Sequence, residues 1–473
     1  MSAGLGGYAG KILHIDLTRK EAVRKDLDFE VAKRFIGGRG LGAKILYDLL
    51  KPKTDPLSPD NILVFATGPL TGTTAPGSKM SLVAKSPLTS GYADSTIGGF
   101  LGAEIKFAGY DAIVIHGKSL NPTYIWIEDG SVRFRDAVNL WGKGCFTTET
   151  EIKEELGDKK VRVASIGPAG ERLVKIACIT HEYGKQAGRC GLGAVMGSKN
   201  LKALAVRGTG EIGLARPDEF KELADETRRA ILANPDALKV WREMGTAHHV
   251  IHSNEWGALP TRNYQSGVFE KAEDISGERM KETIVLSNKT CFSCPVACGK
   301  WSEVREGLYK GTAVEGPEYE TIAMLGSNCG VGSLETIARA NYLCDDLGID
   351  TISTGNVVAF AMECYEKGVI DKTDTGGLDL RFGNAEAYLR VIEMIGMREG
   401  LGATLSEGVR KSAQAFGKGS ERFAMHSKGL EWSGYECRGA PGQALAYAIV
   451  DRGADHNKAW CTDFFIEPWR YTI

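Results

Sequence analysis

The hydrophobic period of this chain changes near residue 210, and that change limits the folds open to it. Before that point, short β-type runs (11–17, 61–65, 111–116, 161–166 and 202–206) alternate with glycine-rich turns. The runs 123–127 and 132–135 flank Asp129-Gly130, a strong hairpin signal. One early helix is expected to start at Asp28 as N-cap and to stop at Gly37 and Gly38. From Arg216 onward the pattern turns amphipathic and helical. Pro217 opens a first turn, and 334–347 and 356–367 carry helical periodicity. Strands and helices are segregated, so the expected class is α+β. The expected organisation is a β-rich domain over 1–210, a helical domain over 211–417, and a third, mostly helical segment over 418–473.

Composition narrows the function classes. Lys and Arg total 58 against 60 Asp and Glu, so the basic excess of a nucleic-acid binder is missing. No apolar run reaches the ~18 residues of a membrane span, and residues 1–10 lack the features of a secretory signal. The eleven cysteines therefore read as thiols or metal ligands in a cytoplasmic protein. Glycine is the outlier at 59 of 473 residues, about 12% against a usual ~7%. Without a collagen-like period, it must serve tight turns or close backbone approaches.

Two motif-like stretches fail on context. Gly38-Arg-Gly40-Leu-Gly42-Ala43 follows a helix, whereas a dinucleotide fingerprint needs a preceding strand. The 72–79 stretch ends Gly-Ser-Lys, which displaces the phosphate-loop lysine.

Cys291-Phe-Ser-Cys294-Pro-Val-Ala-Cys298 is the sharpest local signal. Three thiolates within eight residues can take three corners of a [4Fe–4S] cluster, with a distant fourth ligand. Zinc accepts the same donors, and three merely packed thiols are the bland alternative. A second signal is the helix end Cys344-Asp345-Asp346-Leu347-Gly348-Ile349-Asp350. Gly348 is expected as a left-handed cap. Carboxylates in a last turn oppose the helix dipole. They are either a solvated end or acceptors for a donor-rich ligand such as an aminopterin edge.

With these features in place, the chain resembles the aldehyde ferredoxin oxidoreductase family of tungsten enzymes. The stretches that carry the likeness are GPLTGTTAP (68–76), KSPLTSG (85–91), GGFLGAEIKFAGYDAIV (98–114), SIGPAGE (165–171), AGRCGLGAVMGSKNLKA (187–203), CFSCPVACG (291–299), EGPEYET (315–321) and LCDDLGIDTISTG (343–355). The resemblance implies a β base carrying two pterin-dithiolenes under helical domains. It also implies tungsten (molybdenum in some relatives) held by dithiolene sulfurs, a [4Fe–4S] cluster on Cys291, Cys294 and Cys298, and Mg2+ bridging pterin phosphates. Gly98, Gly99, Gly188 and Arg189 match its cofactor loops, and Asp345, Ile349 and Asp350 match its Asp-x-x-Gly-Leu-Asp contact. Glu320 and His456 match acid/base residues beside the metal, with Glu315 and Glu318 as weaker candidates.

Departures from the family pattern are also legible. Lys79 stands where an arginine is common, and Lys185-Gln186 replaces an Arg-Ala-like pair. Arg339 and Tyr342 occupy the Glu-x-x-His positions that hold a bridging iron in some members, so no such iron is expected. The family's second Asp-x-x-Gly-Leu-Cys element is missing before Ile473, and the surroundings of Cys461 do not match it. The third domain is therefore expected to be incomplete. The implied function is oxidation of an aldehyde to a carboxylic acid, with electrons leaving to ferredoxin or an iron–sulfur subunit in a homo-oligomer or hetero-complex. The tungsten subunit of a class II benzoyl-CoA reductase and a non-catalytic iron–sulfur subunit are the alternatives.

Overall fold

The computed structural model describes residues 6–459 and 461 and has the mixed α+β class expected. The chain divides into two compact units. One comprises 1–173, 177–239 and 290–297; the other comprises 174–176, 240–289 and 298–473. The 217–232 helix thus belongs with the β-rich part, and the residues on both sides of Gly417 share one unit.

Two six-stranded sheets form the first unit. The first has the order Glu21–Asp26, Lys11–Asp16, Ala112–His116, Leu63–Thr67, Met80–Lys85, Tyr92–Ile97, with one parallel pair formed by its second and third strands. One face carries Leu13, Ile15, Ile113 and Ile115 on its parallel pair, and all four are fully buried. The other face packs Val64, Ala66, Ala112 and Val114 under Leu41, Ile45 and Leu46 of the Gly38–Leu49 helix. That helix was not legible from its Gly-x-Gly-x-Gly start. Gly42 is there because a Cβ would lie 2.6 Å from the Val83 side chain on the sheet below. Asp28 caps the Phe29–Phe35 helix as expected, accepting from the Glu30 and Val31 N–H groups.

The second sheet runs Lys185–Ala187, Ile179–His181, Arg162–Ser165, Leu201–Arg207, Thr123–Glu128, Ser131–Asp136. The Asp129-Gly130 hairpin closes its last pair. Here the glycines of 187–203 have a packing role. A Cβ on Gly193 would sit 2.2 Å from the Cys178 carbonyl, and one on Gly197 2.0 Å from the Gly170 carbonyl. Their bare backbone lets the Leu192–Ser198 helix lie directly against the Pro168–Glu171 turn.

Helices dominate the second unit. Leu334–Leu347 ends at Gly348, whose φ of 74° is the left-handed cap foreseen. The following helix is Thr351–Glu366, five residues longer at its start than the pattern suggested. It crosses Tyr319–Leu325 at Gly355, where a Cβ would meet the Met324 carbonyl at 2.4 Å. Among the described residues, no helix is long and apolar enough to cross a membrane.

Candidate active site

Within the first unit, the 290–297 segment carries Cys291 and Cys294. It interrupts a hairpin whose strands Val285–Lys289 and Gly299–Glu303 pair Lys289 with Gly299. Local bonds shape it. The Cys294 N–H donates to the Cys291 carbonyl (3.1 Å), and the Thr290 hydroxyl donates to the Cys294 carbonyl (2.7 Å). Ser293 adopts φ 58°, and its hydroxyl donates to the Thr74 carbonyl, which Arg228 also reaches.

This segment lies against the Gly98–Gly99 turn. The Phe292 N–H donates to the Gly99 carbonyl at 3.2 Å, and Phe292 packs edge-on to Phe100. A Cβ on Gly98 would come within 2.8 Å of the Cys291 Sγ. Gly99 has φ +82°, and a Cβ there would strike His181 and Glu182. His181 is fully buried, and its Nε2 meets the Gly98 carbonyl at 3.0 Å. Burial above all pushes the imidazole down to about 4. It is therefore neutral at pH 7, and the Nε2 tautomer donates to Gly98. Glu182 accepts from the Phe100 N–H at 2.8 Å. Sequence reasoning identified the two glycines but not this supporting pair.

Cys291, Cys294 and Cys298 are half-exposed, whereas Cys145, Cys178, Cys190, Cys329, Cys344 and Cys364 are buried. Burial pushes the Cys364 thiol up to about 12, the behaviour of an inert core cysteine. Cys298 lies in the second unit, where its carbonyl accepts from the Lys300 ammonium at 3.0 Å. Cys461 is half-exposed. Among the described residues, no three His, Cys, Asp or Glu side chains converge tightly enough to hold one metal ion. Each of Cys291, Cys294 and Cys298 is a thiol, the donor type a cluster takes, and none is tied in a disulfide.

The expected cationic contacts differ in setting. Lys79 is exposed with no side-chain ion pair among the described residues. Lys185 is half-buried, and Arg189 is buried beside Gly188. The left-handed residues there are Cys190 and Gly191, not Gly188.

In the second unit, the acidic helix end has structural work. Asp345 is buried and accepts from the Asn341 side-chain amide at 2.7 Å. Asp350 caps the Thr351–Glu366 helix, accepting from the Ile352 and Ser353 N–H groups. Ile349 is fully buried. The cap explains an acid at Asp350 without a ligand, a reading the local sequence permitted through Asp-Thr-Ile-Ser. The Arg339 guanidinium lies 5.2 Å over the Tyr342 ring.

The strongest convergence joins residues far apart in sequence. Glu320, in the first turn of Tyr319–Leu325, has its Oε1 3.3 Å from the Nδ1 of His456. Its other oxygen accepts from the Gly434 N–H at 2.7 Å, and the Tyr319 hydroxyl donates to the Gly434 carbonyl at 2.7 Å. A single loop residue thus ties down both ends of the helix start. The His456 Nε2 meets the Asn457 amide nitrogen at 2.9 Å, which leaves the ring proton on Nδ1, the nitrogen that faces Glu320. Asp455 beside it meets Arg452 through Oδ2 at 2.5 Å, and its Oδ1 lies 3.9 Å from the same His456 Nδ1. Both members of the pair are largely shielded from water, which strengthens their interaction. Glu315 is buried nearby in sequence, and Glu318 accepts from the Thr246 hydroxyl.

Comparison with known proteins identifies the family of the chain. Residues 12–208 match the aldehyde ferredoxin oxidoreductase N-terminal domain, and 222–471 match domains 2 and 3 of that family. The chain is 45% identical over 458 residues to the tungsten-containing aldehyde ferredoxin oxidoreductase of Pyrococcus abyssi, covering 96% of this chain and 74% of that protein. It is 36% identical to the WOR-like subunit of an aliphatic sulfonate oxidoreductase of Pyrococcus furiosus, covering 95% and 75%. In structure it resembles a chain of the active-site complex of benzoyl coenzyme A reductase, with TM-score 0.81, 32% identity, and coverage of 91% and 66%. The match spans nearly every described residue, and the chain belongs to the aldehyde ferredoxin oxidoreductase family.

Proposed function

We propose that this chain oxidises aldehydes to carboxylates at a tungsten-pterin centre and passes the electrons to ferredoxin or an iron–sulfur partner. The reaction takes oxygen from water and releases two electrons and three protons at neutral pH. When bound, the pterin-held tungsten (or molybdenum) supplies a two-electron acceptor with Lewis acidity, and a [4Fe–4S] cluster hands electrons on singly.

The protein's part is positioning and proton handling. Glu320 and His456 form an acid–base pair in which a proton taken by the imidazole is stabilised by the facing carboxylate. Gly434 holds that carboxylate in place through its N–H. Cys291, Cys294 and Cys298 supply thiolates to the cluster. Gly98 and Gly99 offer backbone where side chains would collide, and Gly188 adds bare backbone beside Arg189. Lys79, Lys185 and Arg189 would supply positive charge for the pterin phosphates, alongside Mg2+. Asp345, Ile349 and Asp350 shape the pterin contact from a rigid helix junction.

The shielded Glu320–His456 pair is the observation that carries this reading. Its test is aldehyde-dependent reduction of a viologen dye by anaerobically purified protein of known tungsten, molybdenum and iron content. Metal-loaded protein that reduces no dye with any aldehyde would overturn it. The likeness to benzoyl coenzyme A reductase motivates a second reading, reduction of an aromatic acyl-CoA. Dye oxidation by such a thioester, without aldehyde activity, would favour it.

A further inference from the structure

The first sheet holds a cavity of about 540 Å³ that the oxidation chemistry does not use. It opens where the Gly38–Leu49 helix ends and stops covering the sheet. Up to that point the covered face is apolar, through Ala112, Val114, Ile62 and Val64. Beyond it the same face presents His14, Asp16 and His116. Their positions follow from the register, which pairs His14 with Val114 and Asp16 with His116. Valine or isoleucine would suit these half-buried strand positions better for packing alone. Two imidazoles on adjacent strands, lining one cavity, therefore need another explanation.

The charges around the cavity favour an anion. Lys25, on the neighbouring strand, and Lys51, after the helix, both line it, and neither has an ion-pair partner among the described residues. Asp16 is already engaged: its Oδ1 accepts from the Thr18 and Arg19 N–H groups, and its Oδ2 lies 3.7 Å from the Arg19 guanidinium. Asp60 on the rim is the other acid. Behind the wall, Lys199 is fully buried and donates to the Pro59, Asn61 and Gly117 carbonyls, fixing two rim segments. The imidazole of His14 senses a positive field. Burial pushes it down to about 4, helped by Lys25 and His116, and no carboxylate opposes the shift.

We propose that this cavity binds a phosphate group between Lys25, Lys51 and the His14–His116 pair, carried either by inorganic phosphate or by a phosphomonoester of nucleotide size. Donors from four chain segments would surround the oxygens, and the volume lies within the range of small-molecule sites. The site is separate from the Glu320–His456 pair in sequence and in unit, so it holds whatever the substrate of that pair.

Isothermal titration of the purified protein with inorganic phosphate and with adenosine monophosphate tests the proposal. One saturable site per chain is expected, weakened at least about tenfold in Lys25→Ala and in His14→Val. His14→Val should melt at or above the wild-type temperature, since it extends the apolar face, so lost binding cannot be ascribed to misfolding. Tighter binding of the nucleotide than of phosphate identifies an ester as the ligand; equal binding identifies free phosphate. No saturable binding of either probe up to about 10 mM, or binding unchanged in both variants, overturns the proposal.

Discussion

The Glu320–His456 contact makes a quantitative prediction about how two residues act as one. At 3.3 Å, and with an effective dielectric near 20, a carboxylate and an imidazolium attract by about 5 kcal/mol before desolvation is counted. Glu320→Gln removes that charge but keeps an oxygen to accept the Gly434 N–H, so the loop should stay in place. His456→Asn removes the proton acceptor. Loss of a positioned acid or base costs about 10²–10⁴ in rate, so each variant should lose kcat by that factor at unchanged tungsten and iron content. Because the two groups hold one proton between them, the double variant should be no slower than the slower single. Glu320→Ala should be worse than Glu320→Gln, since it also orphans the Gly434 N–H, at about 1–3 kcal/mol. The assay is aldehyde-dependent viologen reduction, with metals measured per chain. Two results would refute the reasoning: wild-type turnover in either single, or a double variant whose loss is the product of the singles.

Three other outcomes are expected. Gly98→Ala places a Cβ 2.8 Å from the Cys291 Sγ; overpacking should cost about 1–3 kcal/mol and lower iron per chain, whereas full iron loading and an unchanged urea midpoint would show that the contact is slack. Lys106 and Asp111 form a fully buried pair at 2.5 Å, with Asp111 also accepting from the Ala9 and Gly10 N–H groups. Lys106→Met should therefore cost about 3–5 kcal/mol in denaturant unfolding, and adding Asp111→Asn should recover part of it; no recovery would mean the charges are uncoupled. His181 is held at about 4 by burial, below its ordinary 6.5. As pH falls from 6.5 to 4 the unfolded chain gains a proton that the folded chain refuses, so stability falls by about 3 kcal/mol across that window. His181→Gln, which keeps a donor for the Gly98 carbonyl, should flatten this dependence, and a slope identical to wild type would contradict it.

What could be read from the sequence was whatever is decided by neighbours along the chain. The Asp28 cap, the Gly348 stop and the Asp129-Gly130 hairpin are local chemistry, and the structure shows each of them. The strand Met80–Lys85 escaped because burial on both faces erases the period-two signal, and the edge strand Tyr92–Ile97 because Ala, Asp and Ser fill it in place of strand formers. The Gly38–Leu49 helix escaped for a different reason. Its glycines look like a breaker locally, and only the sheet beneath Gly42 explains them. The glycines of 187–203 invert the expectation: Gly193 and Gly197 are bare so that protein can touch protein, whereas Gly98 is bare against a thiol. Excess glycine thus marks close approach without saying what approaches. The same limit governs the site. Glu320 and His456 lie 136 positions apart (456 minus 320), and only the resemblance singled them out. His14 and His116 stand diagonally on a parallel strand pair, which leaves no motif at all. The first pair came from the resemblance, which matched Glu320 and His456 one by one. The second had to come from asking why a core-facing strand position carries an imidazole, a question that only the register makes it possible to pose.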